Sequence, residues 1–309
     1  MKSQITNFLK QKQKLLNLSA IEKQAGLPTS VLGKILRGER ILTDKHAELI
    51  LPVLQQEYGY PANGTGCRII SFLNHKGGVG KTTTTVHLGR ALSLMDKKVL
   101  IVDFDPQANA TDHLGIEHEE QNISQALLDQ QPLPVISIYK HFDLVPGDID
   151  LAQVPRKFAG SATQYIRLKA ALDPIKDQYD FILIDCPPSL EYFTQNALNA
   201  SSEAIIVSSP TRLSMKGIPL AIETIDELKM INPALELLGV VITDSERLKV
   251  SKRSEDNLRD SGLPIFKTVI RHFKHYKEAS EEGLTIFDCF PKHHSTSDYE
   301  KLAKEIIYA

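Results

Sequence analysis

Residues 68–83 read RIISFLNHKGGVGKTT, an apolar run that breaks into a glycine-rich loop and ends in Lys-Thr-Thr. The run RIISFLN has the length of one buried strand, and the stretch from about Lys81 to Leu94 reads as a helix. A strand, a glycine loop and a helix in that order make a phosphate-binding loop. Gly77, Gly78 and Gly80 let the backbone wrap closely and take positive φ. The loop N–H groups can then face phosphate oxygens at the positive end of the helix. In that setting Lys81 sits on the β- and γ-phosphates and the Thr82 hydroxyl holds Mg²⁺. Lys76, Val79 and Thr83 complete the nucleotide-binding stretch. The usual pattern is GxxxxGK[ST]; here His75 stands in place of the first glycine, and Lys76 puts an extra lysine inside the loop.

Downstream, brief apolar runs alternate with longer amphipathic stretches. KVLIVDFD, HFDLVPG, DFILIDCP, EAIIVSS, LELLGVVIT and FKTVI read as strands. Helices are expected from about Ala162 to Leu172 and from about Lys216 to Ile231, and the residues between KVLIVDFD and HFDLVPG read as polar helical material. Such alternation predicts an α/β fold of the P-loop NTPase type, a mostly parallel twisted sheet with helices on both faces. Asp103 and Asp105 end one strand and Asp185 ends another, so their carboxylates point into the crevice where such sheets bind ligands.

Residues 1–58 read as helical, GYPANGTG at 59–66 as a turn-rich linker, and 67–309 as the α/β domain. The 309 residues are 42% hydrophobic and 24% charged with a net charge of −2, so any affinity for nucleic acid must be local. The three cysteines are far apart and show no CxxC spacing, which argues against a disulfide framework or a zinc site and fits a reducing cytosol. The polar N-terminus is unlike a signal peptide. No apolar run reaches the roughly 18 residues a membrane span requires.

Three motifs carry a family resemblance. KGGVGKTTTTVHLGRALS, VDFDPQANAT and FILIDCPPSL, together with the tail TVIRHFKHYKEASEEGLTIFDC, resemble the deviant Walker ATPases, and among them the ParA/Soj partition ATPases of prokaryotes. The resemblance covers about residues 67–309, although the usual IPR of the tail reads IRH here. It implies slow, Mg²⁺-dependent ATP hydrolysis with ATP and Mg²⁺ as cofactors. Lys76 would be a signature lysine that reaches the partner's phosphates in an ATP-bound homodimer. Asp105 would position the attacking water, and Asp103 and Asp185 would make water-mediated Mg²⁺ contacts. Pro210, Thr243 and Asp244 would lie near the adenine. The dimer would bind DNA non-specifically and answer to a centromere-binding partner protein, in the cytoplasm, on the nucleoid and away from membranes.

Two segments suit DNA. Residues 245–277 hold nine Lys/Arg against four Asp/Glu, a net of +5, with Lys252, Arg253, Arg271 and Lys274 as candidate contacts and Arg253 and Arg271 foremost. Residues 18–37, LSAIEKQAGLPTSVLGKILR, resemble a repressor-type helix-turn-helix. There Ser19 and Glu22 read as a capping box, Gly26 as a helix end, Thr29 or Ser30 as the next cap, and Leu32 and Ile35 as core. Thr29, Ser30, Lys34 and Arg37 would face the groove. Glu22 fits poorly, because that motif usually has a small residue there. The alternative is a dimerisation or packing arm. Segment 1–66 carries nine Lys/Arg and five Asp/Glu, a net of +4. Partition ATPases with such an extension include repressors of their own operon. There are two rivals: a MinD-like ATPase working on membranes, which shares the three motifs but needs a basic amphipathic C-terminal helix, and a transcriptional repressor switched by nucleotide. An iron–sulfur reductase of the nitrogenase type is excluded, because Cys186 has no suitable second cysteine.

Overall fold

The apolar runs form the strands of one sheet: β1 Arg68–Leu73, β2 Val99–Asp103, β3 Ile136–Tyr139, β4 Phe142–Val145, β5 Phe181–Asp185, β6 Glu203–Ser208, β7 Glu236–Ser245 and β8 Ile265–Arg271. Their order is β3-β4-β2-β5-β1-β6-β7-β8. Every pairing is parallel except β3 with β4. The computed structural model describes residues 2–11, 13, 16–58, 66–117, 122–246 and 249–308. Strands β2 and β5 are buried along their whole length, as expected for strands covered on both faces. β3 corrects the expectation of polar helix in that region. It is a four-residue edge strand, mostly half-buried, too short to show a period of two.

The chain divides into two units, Met1–Cys67 and Arg68–Ala309. In the first, helices α1 (Lys2–Gln11), α2 (Leu18–Gln24), α3 (Val31–Leu36) and α4 (Asp44–Glu57) close over Ile5, Leu9, Ile21, Leu32, Ile35, Ile50 and Leu54. Leu32 and Ile35 are therefore core residues. The capping box at Ser19 does not form: Ser19 lies inside α2, and Asn17 caps it by accepting from the Ala20 N–H at 3.1 Å. Gly26 makes the turn after α2 at φ +65°. Ser30 precedes α3, but its hydroxyl does not cap. Glu22 does. Its carboxylate is buried and accepts from the Ser30 N–H at 2.9 Å and the Leu32 N–H at 2.7 Å. Most of the linker at 59–66, residues 59–65, lies outside the described residues.

In the second unit the helices are α5 (Lys81–Leu94), α6 (Asn109–His113), α7 (Ile123–Asp129), α8 (Val154–Phe158), α9 (Arg167–Leu172), α10 (Tyr192–Ala200), α11 (Arg212–Met215), α12 (Gly217–Lys229), α13 (Lys249–Arg259), α14 (His275–Glu281), α15 (Ile286–Cys289) and α16 (His294–Tyr308). The helix expected from Ala162 starts only at α9, because the Asn196 side-chain oxygen of α10 accepts from the Arg167 N–H at 3.0 Å and fixes the first turn there. The helix expected from Lys216 is α12, preceded by the separate turn α11. Gly217 at its start touches the phosphate loop: a Cβ there would lie 2.6 Å from the Asn74 side-chain oxygen. Helix α16 buries Tyr299, Leu302, Ala303 and Ile306 against α5 and β8. It also blunts the β8 edge, since Glu305 accepts from the Lys267 and Thr268 N–H groups at 2.8 Å each.

Candidate nucleotide-binding site

The loop begins where β1 runs out of apolar residues. Asn74 is buried, donates to the Val207 carbonyl at 2.7 Å and accepts from the Lys76 N–H at 3.0 Å, so it ties the loop to the end of β6. Gly78 (φ +71°) and Gly80 (φ +87°) take the left-handed turns that a side chain would resist. Thr243 holds the loop from the other side, its hydroxyl donating to the Val79 carbonyl at 2.6 Å. Gly77, Gly78, Val79, Gly80, Lys81, Thr82 and Thr83 thus lie on one continuous turn into α5.

The two loop lysines occupy different places. Lys81 is buried, its ammonium 3.4 Å from the Lys76 carbonyl, and burial lowers its pKa. The Lys76 ammonium donates to the side-chain oxygens of Ser214 at 3.1 Å and Thr211 at 3.5 Å. Ser209, Thr211 and Ser214 are joined to one another there by hydroxyl hydrogen bonds. Ser214 is a contact the sequence did not announce, because nothing in TRLSMKG marks a serine that will meet a lysine from another element.

The three strand-end carboxylates converge. The Thr82 hydroxyl donates to Asp185 at 2.6 Å, and the other Asp185 oxygen is buried with no hydrogen-bond partner among the described residues. Asp103 accepts from the Thr111 N–H at 2.8 Å and the Thr111 hydroxyl at 2.7 Å. Asp105 is buried and accepts from the Gln107 N–H at 3.0 Å. Burial pushes the Asp103 carboxyl up to about 6, against the hydrogen bonds from Thr111. Burial also pushes Asp185 up, reinforced by Asp103 and opposed by Thr82 and Lys81. Three buried carboxyls against one buried lysine leave an excess of acid that protons or a divalent cation relieves. No group of three His, Cys, Asp or Glu side chains among the described residues can hold a metal by itself.

A cavity of about 860 Å³ opens beside Gly78, Gly80 and Thr83. Thr243 and Asp244 line it, as do His272, Phe273 and Tyr276. Asp244 takes φ +51° and pairs with the His272 ring, which the carboxylate holds at a raised pKa. Pro210 does not line this cavity. It lies between Ser209 and Thr211, the latter in contact with the Lys76 ammonium.

The candidate DNA residues fare differently. Arg271 is bound at both ends of its guanidinium by the buried Asp298 carboxylate, at 2.9 and 2.6 Å, and Lys274 pairs with Glu278 at 2.9 Å. Asp298 and Glu278 lie beyond the counted segment, so the +5 overstates the free charge, and Arg271 is a structural partner first. Lys252 and Arg253 are exposed on α13 and have no ion-pair partner among the described residues. Arg247 lies outside the described residues. Thr29, Ser30, Lys34 and Arg37 are all exposed, with Arg37 paired to Glu39 at 2.6 Å.

A doubly covered parallel sheet whose first strand opens into this loop, with acidic residues closing the neighbouring strands, defines a P-loop nucleoside-triphosphatase. Residues 67–237 match the AAA domain family. The chain is 36% identical over 252 residues to the sporulation initiation inhibitor protein Soj of Bacillus subtilis, covering 77% of this chain and 98% of that protein. It is 33% identical over 252 residues to the chromosome-partitioning ATPase Soj of Treponema pallidum, covering 78% and 97%. The cobyrinic acid a,c-diamide synthase of Mycobacterium smegmatis, solved with an ATP analogue and magnesium, superposes with a TM-score of 0.70 at 28% identity, over 78% of this chain and 94% of that one. The chain belongs to the ParA/Soj family of partition ATPases. No helix among the described residues is long and apolar enough to cross a membrane.

Proposed function

We propose that this ATPase binds Mg-ATP at residues 76–83, dimerises face to face around the nucleotide, binds DNA as the dimer, and resets by slow hydrolysis. The observation that carries the reading is the separation of the two lysines. Lys81 is buried beside the loop, where it would meet the β- and γ-phosphates. Among the described residues the Lys76 ammonium is anchored by the Ser214 and Thr211 hydroxyls alone, so it would be available to the phosphates of a second subunit. There it would stabilise transition-state charge as an arginine finger does. Thr82 would hold Mg²⁺ directly, with Asp103 and Asp185 behind it through water. Asp105 would orient the attacking water.

Lys252 and Arg253 would neutralise DNA phosphates, which makes binding non-specific and salt-sensitive. A centromere-binding partner would trigger hydrolysis. The N-terminal unit would add an operator-binding module through Thr29, Ser30, Lys34 and Arg37, and so repression of its own operon. The membrane reading loses its basis, because α16 spends its apolar face inside the domain.

A gel-shift series with ATP, ADP and no nucleotide, on random and upstream-operator DNA, tests this. ATP should promote binding to random DNA, Lys81→Ala should bind neither nucleotide nor DNA, and Lys76→Ala should bind ATP without dimerising. Retained ATP affinity in Lys81→Ala would remove the site. One operator bound far more tightly than random DNA would favour the repressor reading.

A further inference from the structure

A second cavity, of about 360 Å³, lies between α7 and α9 and shares no residue with the one beside the phosphate loop. Leu127 of α7 and Leu133, in the segment between α7 and β3, are buried and line it. Ala170 and Ala171 of α9 line it as well, followed by Pro174. The two alanines leave room that larger apolar side chains would fill.

Arg167, the first residue of α9, is the one charged side chain among the described residues that line this cavity. It is half-buried. Its Nε is buried without a hydrogen-bond partner, and no carboxylate among the described residues pairs with it. The guanidinium lies over the Phe158 ring of α8, with Cζ 3.8 Å from the ring centre. A ring face attracts the charge but offers no lone pair, so the N–H groups remain unspent. Arginine keeps its charge. A half-buried guanidinium without a counter-ion therefore carries a desolvation cost that an anion would offset.

We propose that this cavity binds a small apolar monocarboxylate, its chain against Leu127, Leu133 and the two alanines and its carboxylate on Arg167. The planar fork of arginine matches the two oxygens of a carboxylate. A phosphate dianion would leave charge facing apolar walls, because the cavity supplies one cation. The volume stands near the lower end for ligand cavities, roughly 300–1,000 Å³, which suits a free acid of about eight carbons.

Equilibrium dialysis of the full chain against radiolabelled octanoate tests the assignment. Wild type should bind one octanoate per chain. Octan-1-ol and octylamine should compete about tenfold more weakly than unlabelled octanoate, or worse, because neither carries the anion. Arg167→Met keeps an apolar stem over Phe158, deletes the charge, and should weaken octanoate binding by about tenfold or more. Ala171→Leu fills the cavity from a half-buried position of α9 and should weaken it similarly with Arg167 intact. It keeps the assay valid if Arg167→Met does not fold. No saturable binding of octanoate by wild type, equal competition by octan-1-ol, or undiminished binding in either folded variant overturns the site. A blocked Leu-Glu-Leu tripeptide that displaces the label at lower concentration than unlabelled octanoate does would give the cavity to a partner's acidic segment and overturn the free-acid assignment.

Discussion

Replacing Glu22 by alanine should melt α3 while leaving the ATPase unit folded. Glu22 is 2% exposed, and its two oxygens accept from the Ser30 and Leu32 N–H groups at 2.9 and 2.7 Å. Those N–H groups open α3, where no residue of the helix can bond them. A hydrogen bond to a charged acceptor contributes about 1.5–3 kcal/mol, and a donor left buried without a partner adds a penalty. The expected loss is therefore about 3–5 kcal/mol. A unit of this length has about 3–10 kcal/mol in total, at roughly 0.05–0.15 kcal/mol per residue. Hydrogen exchange of the full chain reads the result directly. Amides of α3 should exchange about a hundredfold faster or more, while those of β1, β2 and β5 keep their protection. Glu22→Gln should fall between, because its amide offers one acceptor oxygen and turns an N–H₂ towards the second backbone N–H. Wild-type protection of α3 in Glu22→Ala would refute the capping role and restore Glu22 as a misfit within a helix-turn-helix.

Asp105→Ala should keep ATP binding and slow turnover by about a hundredfold or more; unchanged turnover in a phosphate-release assay removes Asp105 from that role. Arg271→Ala leaves the Asp298 carboxylate buried and short of its partner, so it should lower stability by about 2–3 kcal/mol in urea melts. Lys252→Ala with Arg253→Ala should instead leave melts unchanged and reduce the salt slope of DNA binding by about two; an unaltered slope moves the DNA surface elsewhere. His113 tests the buried imidazole by pH. Its folded-state pKa of about 4 lies below the ordinary 6.5, so its contribution is complete above pH 6.5 and lost as pH falls towards 4. Wild type should therefore lose about 3 kcal/mol relative to His113→Phe over that range; parallel curves would mean the ring is not held neutral.

Much of the fold is legible because it rests on local signals. The run RIISFLN, the glycines of the loop and the helix from Lys81 are adjacent in the chain, so one stretch specifies strand, turn and helix together. Asp103, Asp105 and Asp185 are legible for the same reason, each ending an apolar run. β3 is not legible, because a four-residue edge strand carries too few alternations. The start of α9 is not either, since Asn196 of another helix sets it.

The sequence by itself determined the phosphate loop, the acidic strand ends, the parallel sheet and the family, all properties of contiguous residues. Only the tertiary structure decided which charges are free. Arg271 is matched by Asp298 from a helix 27 positions later, and Lys76 rests on a serine 138 positions later. It likewise turned Glu22 from an anomaly into a cap, and packed the His87 ring against His113 and Tyr276. A side chain's partner is set by packing across elements, and no spacing along the chain encodes that.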